Sequence, residues 1–221
     1  MTPNRRFFLK QLVFSAAGGF CLFISEFFVW DKAWGAVKHL LPKGTRLETL
    51  VNENPALLDA RNLDIQPLAQ FGTMGLSDQK PDPEKWRLIC SGGIRRELRL
   101  TYDEIRTLPA IERPVLLICP GFFANHGRWK GISLSELGKR AGIKKGVNFV
   151  TISGPAGLYK KTGRFPLKDI ESGKVFLAYQ VNGETLPVKH GFPLRLVAEG
   201  YYGYEWIKYV DTLRFEKIGA A

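Results

Sequence analysis

The sequence predicts a mixed α+β domain whose core is mostly β. Glycine (23 residues) and proline (13 residues) are frequent, which favours many short strands and turns over a helical bundle. Hydrophobic residues make up 45% of the chain and aromatic residues 12%, which is enough for a packed core and excludes general disorder. A length of 221 residues suits one domain preceded by a short leader.

Several segments have the pattern of β-strands. The clearest is Pro114–Cys119, a continuous apolar run of the kind found in strands that are buried on both faces. A second run, Val175–Val181, leads into Asn182-Gly183 and then Leu186; because Asn-Gly suits the positive φ angles of tight turns, this segment predicts a hairpin. The predicted strands are residues 86–91, 114–119, 146–153, 175–181, 193–198 and 206–217, the last with Ile207, Tyr209, Leu213 and Phe215 on one side.

Two short helices are predicted from capping boxes, in which a Ser or Thr precedes a Glu by three residues. The first box, Thr101 with Glu104, begins a helix that ends near Pro109. The second box opens at Ser133 and begins a helix that ends near Ala141.

The N-terminal 35 residues have the layout of an export leader. The pair Arg5-Arg6 stands just before an apolar run from Leu12 to Trp30, which resembles the twin-arginine type of signal for folded proteins that often carry cofactors. The alternative is a membrane anchor through residues 11–30, since about 20 residues span a bilayer, although Glu26 would be costly there. We expect a periplasmic protein and leave open whether residues 1–35 are cleaved or retained as an anchor.

The chain is basic, with 32 Lys and Arg against 21 Asp and Glu, a formal charge of +11. Such a charge suits a nucleic acid, an acidic membrane surface or a polyanionic ligand. No motif for groove or single-strand recognition is present, so we predict no nucleic-acid partner. A solvated basic surface accounts for most of these residues.

Residues 36–84 show little periodicity and are predicted to form an extended N-terminal arm on the domain surface. Phe71-Gly72-Thr73-Met74-Gly75 interrupts this arm, and its two glycines allow the backbone to approach another group closely.

Cys119 is the first candidate for chemistry. It ends the buried run and precedes Pro120-Gly121, so its thiol lies where a strand meets a loop. A thiolate is a soft metal ligand. Two alternatives stay open at this point: a cysteine is often a small apolar core residue, and Cys119 could pair with Cys90 in an oxidising compartment.

A second cluster combines His190 and Arg195 with Trp206-Ile207-Lys208. If adjacent strands bring Arg195 and Lys208 together, the two cations can hold a phosphate, the arginine by a bidentate fork and the lysine as a point charge. The alternative is a pair of solvated cations near a strand end.

The order and spacing of these motifs, taken together, resemble the sulfite oxidase-type molybdopterin oxidoreductase family over residues 60–217. The subgroup most similar is that of single-domain, twin-arginine-exported members such as the periplasmic methionine sulfoxide reductase catalytic subunit. The motifs that carry the resemblance are Trp86-Arg87-Leu88, Val115–Cys119, Trp129-Lys130-Gly131, residues 177–184, residues 190–196, residues 200–203 and Trp206-Ile207-Lys208.

The resemblance implies a molybdenum–molybdopterin cofactor and a molybdopterin-binding catalytic domain over residues 85–217. Cys119 would ligate the metal beside the two sulfur atoms of one pterin dithiolene, and Cys90 would be a buried apolar residue. The implied contacts to the pterin and its phosphate end are Phe71, Gly72, Thr151, His190, Arg195, Trp206, Ile207 and Lys208.

The substrate is less defined, because the chain mixes two family patterns. The position two after the ligand is Gly121, where the methionine sulfoxide reductase subgroup has an acidic residue, whereas His190 matches the sulfite oxidases. In the expected loop 120–128 only Arg128 offers a fixed positive charge. We predict that His126 and Arg128 contact the substrate; a solvated loop is the alternative.

The resulting hypothesis is oxygen-atom transfer at molybdenum on a small-molecule substrate, either sulfoxide reduction or sulfite-type oxidation. Electrons would pass to or from a separate haem protein, because the sequence has no haem or iron–sulfur motif. The alternative function is a non-catalytic pterin- or partner-binding module that retains the fold.

Overall fold

The computed structural model of the chain describes residues 37–219, so the predicted leader, residues 1–35, lies outside the described residues. Two five-stranded sheets and a two-stranded parallel pair make up its β structure. The strands are β1 (His39–Leu40), β2 (Leu58–Asp59), β3 (Leu88–Gly92), β4 (Leu98–Leu100), β5 (Ala110–Cys119), β6 (Phe123–Ser133), β7 (Phe149–Ser153), β8 (Thr162–Pro166), β9 (Val175–Val181), β10 (Glu184–Thr185), β11 (Arg195–Ala198) and β12 (Thr212–Glu216). The α-helices are α1 (Tyr102–Thr107), α2 (Leu134–Ala141) and α3 (Leu167–Glu171).

The first sheet has the order β10-β9-β6-β5, with β11 also paired to β9. Its longest ladder joins β5 and β6 in antiparallel register from Ala110↔Ile132 to Cys119↔Phe123. The three residues between these strands form the turn, where Gly121 has a φ of 75°, a left-handed conformation that glycine adopts at no steric cost.

The second sheet has the order β4-β3-β12-β7-β8. Strand β12 is parallel to β3 and antiparallel to β7. One hydrophobic core joins the two sheets and includes Trp129, Phe176 and Phe215, which are all but inaccessible to solvent. Burial of such large side chains contributes most of the favourable free energy of folding.

Residues 39–71 run along the outer face of the first sheet as short strands and 3₁₀ turns. A second, smaller core lies there, where Leu116 and Ile118 of β5 pack against Leu41, Leu50 and Leu58. A backbone hydrogen bond attaches the last part of this segment to the sheet: the amide of Gln66 donates to the carbonyl of His126 on β6.

Most local predictions are confirmed. Thr101 caps helix α1 with both hydrogen bonds of its capping box, and the hairpin turn has positive φ angles at Asn182 (53°) and Gly183 (83°). The predicted strand over residues 206–217 is wrong in its first half, because Tyr209 has a φ of 61° that breaks the extended backbone, and β12 begins only at Thr212. Within residues 37–219, no helix is both long and apolar enough to cross a bilayer.

Candidate active site

A cleft of about 350 Å³ opens where β5 ends. This volume lies within the range of about 300–1,000 Å³ that is usual for small-molecule sites. Segments from distant parts of the sequence form its walls. The lining residues are Gly72, Thr73, Met74, Gly75, Leu76, Leu117, Cys119, Phe123, Leu158, Tyr159, Lys160, Lys161, Arg195, Gly203, Tyr204, Trp206, Lys208 and Tyr209.

Cys119 presents its thiol to this cleft because it is the last residue of β5. Successive side chains of a strand point to opposite faces, so Leu117 and Cys119 face the cleft while Leu116 and Ile118 face the smaller core. Its Sγ lies 3.8 Å from the Sδ of Met74. Burial raises the pKa of Cys119, and the charge of Lys161 opposes that rise.

Cys90 has a different environment. It is free, as is Cys119, and it is fully buried in the main core. Burial raises the pKa of Cys90 to about 12. Its predicted place as a buried apolar residue is therefore confirmed.

Four cations line the cleft, and no lining residue of the described chain is acidic. These cations are Lys160, Lys161, Arg195 and Lys208. The Lys208 ammonium donates to the carbonyl of Leu76 at 2.7 Å. Burial, followed by the charges of Arg195 and Lys161, lowers the pKa of Lys208 to about 8. The charge of Arg195 also lowers the pKa of Lys161, and cations crowded together in this way favour an anionic ligand.

Arg195 begins β11 and is the most enclosed of these cations. Its guanidinium lies between the indole rings of Trp129 and Trp206, 5.4 Å from each ring centre. The Nη1 atom donates to the carbonyl of His190 at 2.9 Å, whereas Nε has no hydrogen-bond partner in the described chain. Burial lowers the pKa of Arg195 to about 10, so it is a cation at neutral pH.

His190 lies behind the cleft and does not line it. Its side chain is 1% exposed, and its ring stands edge-on to Phe71 with 5.9 Å between the ring centres. Burial, followed by the charge of Arg195, lowers the pKa of His190 to about 4, so the ring is neutral at pH 7. Its Nε2 atom has no hydrogen-bond partner in the described chain.

These residues fit the group that the family resemblance implies. The Cys119 thiol could coordinate a metal that accepts thiolate ligands, and Arg195 and Lys208 could bind a phosphate. Arg195 Nε and His190 Nε2 are buried without a partner, which is rare unless a ligand or water supplies one. The backbone also comes close, since a Cβ atom at Gly72 would collide with the ring of Phe123.

The structure brings most of the predicted contact residues together. Those that line the cleft are Gly72, Cys119, Arg195, Trp206 and Lys208. Phe71 is buried directly behind them, against Trp129 and His190. Ile207 is fully buried and does not line the cleft; its carbonyl accepts a hydrogen bond from the backbone of Leu196.

His126 and Arg128 are not at the cleft, and the loop predicted for them is wrong. They lie on strand β6, on the face opposite Cys119, because even-numbered residues of this strand point away from the cleft. His126 is buried beneath the arm, where its Nδ1 is 3.0 Å from the carbonyl of Asp64. Arg128 is exposed on the same outer face. The expectation that both contact a substrate beside Cys119 is corrected accordingly.

Thr151 is also absent from the cleft. It lies in the middle of β7, in the second sheet, and its hydroxyl donates to Glu216 Oε2 at 2.5 Å. Arg164 of β8 stands next to it. Thr151 is therefore not among the residues that line the cleft, and its contact with a pterin stays a prediction.

Sequence reasoning missed several residues of the site. Met74 comes from the Gly-containing segment of the arm. The glycines of this segment predicted that its backbone approaches another group closely, but not which group. Lys160 and Lys161 precede β8, and in the sequence they stand out only as an adjacent pair of cations.

Comparison with known proteins places the chain in a family. Residues 76–218 match the model for the oxidoreductase molybdopterin binding domain. The uncharacterized oxidoreductase YuiH of Bacillus subtilis (strain 168) is 28% identical over 137 residues, which cover 62% of this chain and 68% of that protein. NADH nitrate reductases are also similar: that of Solanum lycopersicum is 30% identical over 158 residues, and that of Brassica napus is 31% identical over 165 residues.

The matches cover 58% and 61% of this chain but only 17% and 18% of those nitrate reductases. Among solved structures, the sulfane dehydrogenase SoxCD from Paracoccus pantotrophus has the same fold, with a TM-score of 0.60 and 23% identity over 68% of this chain and 45% of that chain. Because the family model spans more than half of the sequence, this chain belongs to the oxidoreductase molybdopterin binding domain family.

Proposed function

We propose that the chain is an exported, molybdopterin-dependent oxidoreductase that holds molybdenum on Cys119 and transfers an oxygen atom to or from a small-molecule substrate. Sulfoxide reduction and sulfite-type oxidation are the two reaction types that the proposal covers. One observation carries it: the Cys119 thiol and four cations share a cleft without any lining carboxylate in the described chain. The cofactor supplies the two-electron oxygen-transfer chemistry when bound, and the chain binds and orients it.

Each polar group around the cleft has a proposed task. Cys119 releases its thiol proton when it binds metal, and the nearby charge of Lys161 favours that release. Arg195 and Lys208 hold the phosphate end. His190, neutral at pH 7, offers Nε2 to the polar edge of the pterin ring.

Lys161 takes the role that the sequence suggested for Arg128. It lines the cleft and interacts electrostatically with Cys119. We propose that Lys161 attracts a substrate with a negatively charged or strongly polar oxygen. The similarity to nitrate reductases adds nitrate to the oxyanions that deserve an assay.

Three further parts of the proposal rest on the sequence. The leader directs folded protein to the periplasm by the twin-arginine route, and residues 11–30 either are removed or hold the chain in the membrane. Within the family, the subgroup proposed is that of the periplasmic methionine sulfoxide reductase catalytic subunit. A separate haem protein in the membrane or periplasm exchanges electrons with the cofactor.

The test uses the full chain, expressed and exported in a host that makes molybdopterin. We expect about one molybdenum per chain, an optical thiolate-to-metal band, and turnover of at least one of sulfite, nitrate or an organic sulfoxide. Cys119→Ser should lose the band and the activity, whereas Cys90→Ser, the matched control, should keep both. A loaded protein that keeps the band in Cys119→Ser would refute the ligand assignment. A loaded protein that turns over none of these substrates would favour the non-catalytic module.

A further inference from the structure

Seven exposed cations form a patch away from the cleft, here called the basic surface. They come from the turn after β3, the end of α2, the loop that follows α2, and the end of β12. The members are Arg95, Arg96, Lys139, Arg140, Lys144, Lys145 and Lys217.

Backbone bonding holds these segments together, so the patch is a fixed feature of the fold. The amide of Arg95 donates to the carbonyls of Ala141 and Gly142, and the amide of Lys144 donates to that of Gly93. The Arg96 guanidinium reaches the carbonyl of Arg140. Lys217 joins from the end of β12, where its side chain lies against Gly146.

Little negative charge balances this surface. Arg140 pairs with Glu136, and Glu97 follows Arg96 in the sequence. None of the other six cations forms an ion pair with a carboxylate of residues 37–219. The basic surface therefore presents an uncancelled positive potential to any partner that approaches it.

The surface also lacks apolar anchors. The exposed large hydrophobic side chains of the described chain all lie elsewhere. Protein interfaces have an apolar and aromatic centre, whereas a layer of phosphate groups attracts cations by charge alone. We propose that the basic surface binds the anionic headgroups of a phospholipid bilayer.

Its position suits that role. Tyr209, which lines the cleft, precedes strand β12 (Thr212–Glu216), and Lys217 of the basic surface follows it. The strand's five residues extend about 16 Å at about 3.3 Å each. A bilayer bound at the basic surface would therefore not have to cover the Tyr209 side of the cleft. Binding of a bilayer at the basic surface does not require the proposed reaction. The apolar run from Leu12 to Trp30 is a second sequence feature that suits a bilayer.

The test compares binding of the full chain to vesicles of phosphatidylcholine alone and of phosphatidylcholine mixed with phosphatidylglycerol. The ratio of the two affinities reports the charge contribution, because any apolar insertion of residues 12–30 is common to both. We expect a strong preference for the anionic vesicles that disappears when salt is raised from about 0.1 M to about 1 M, since the Debye length falls from about 10 Å to about 3 Å.

The variant Lys144→Glu/Lys145→Glu/Lys217→Glu should lower the affinity for anionic vesicles by at least about tenfold. The control Lys80→Glu/Lys168→Glu/Lys174→Glu changes the net charge equally on other exposed sites and should keep the preference. Circular dichroism of both variants checks that they fold.

Three results would overturn the proposal. They are equal binding to the two vesicle types, equal loss in the two triple variants, and tighter binding to duplex DNA or to soluble polyglutamate than to anionic vesicles. The last result would instead indicate a nucleic-acid or acidic protein partner.

Discussion

The buried, neutral His190 makes the stability of the cofactor-free chain depend on pH. The folded protein holds this ring at a pKa of about 4, against an ordinary value of 6.5. Between these values the unfolded chain binds a proton that the folded chain rejects. Stability is therefore fully present above about pH 6.5 and is lost as the pH falls towards 4.

The size of the effect follows from the two pKa values. One pKa unit corresponds to about 1.36 kcal/mol, so the full loss is about 3 kcal/mol, of which about 2 kcal/mol is lost by pH 5. Because His190 is 1% exposed, solvent does not screen this effect. The substitution His190→Gln removes the titrating group and keeps a side chain of similar size.

Urea unfolding at pH 7 and pH 5 measures the prediction. We expect the fall in the free energy of unfolding between these pH values to shrink by about 2 kcal/mol in His190→Gln. His126 is also buried and its pKa is also lowered, but it is present in both proteins and cancels in the comparison. The exposed His39→Gln is the control. If the pH dependence of stability were the same in His190→Gln as in the parent protein, His190 would not be the source of the predicted loss.

Three other substitutions test the fold and the site. Gly131→Ala should lower stability by about 1–3 kcal/mol, because a Cβ atom there would overlap the backbone of Leu177; an unaltered urea midpoint would contradict the β6–β9 packing. Arg195→Met should reduce retained pterin about tenfold or more, since a charged hydrogen bond contributes about 1.5–3 kcal/mol, whereas Arg164→Met, outside the cleft, should retain it; pterin fluorescence after oxidative release measures both. Thr101→Ala should cost about 1 kcal/mol of stability by removing the helix cap, and a urea midpoint equal to that of the parent would count against the cap.

Local signals in the sequence predicted much of the fold. The apolar run that ends at Cys119 predicted a buried strand, and the structure extends it back to Ala110. The capping box at Thr101 and the Asn182-Gly183 turn were predicted correctly for the same reason: each depends on neighbours within four residues. The box predicted at Ser133 is not formed, since the Ser133 hydroxyl accepts from the amide of Ser135 and still caps the predicted helix. Tyr209 carried no such signal, because a positive φ is common for glycine and enriched for asparagine but uncommon for a bulky residue such as tyrosine.

The site was harder to predict because its walls meet over long distances in the sequence. Lys208 bonds to Leu76, 132 residues away, and no periodicity indicates such a contact. The direction in which the His126 side chain points was missed for a simpler reason. Residues 123–133 were expected to include a loop, and only a strand imposes the alternation that turns His126 away from Cys119.

X-ray absorption at the molybdenum edge of the loaded, exported chain counts the sulfur ligands and so tests whether Cys119 binds the metal. We expect one sulfur ligand more in the parent protein than in Cys119→Ser, and the same number in the parent and in Cys90→Ser. An identical sulfur count in the parent and Cys119→Ser, at equal molybdenum content, would contradict this expectation.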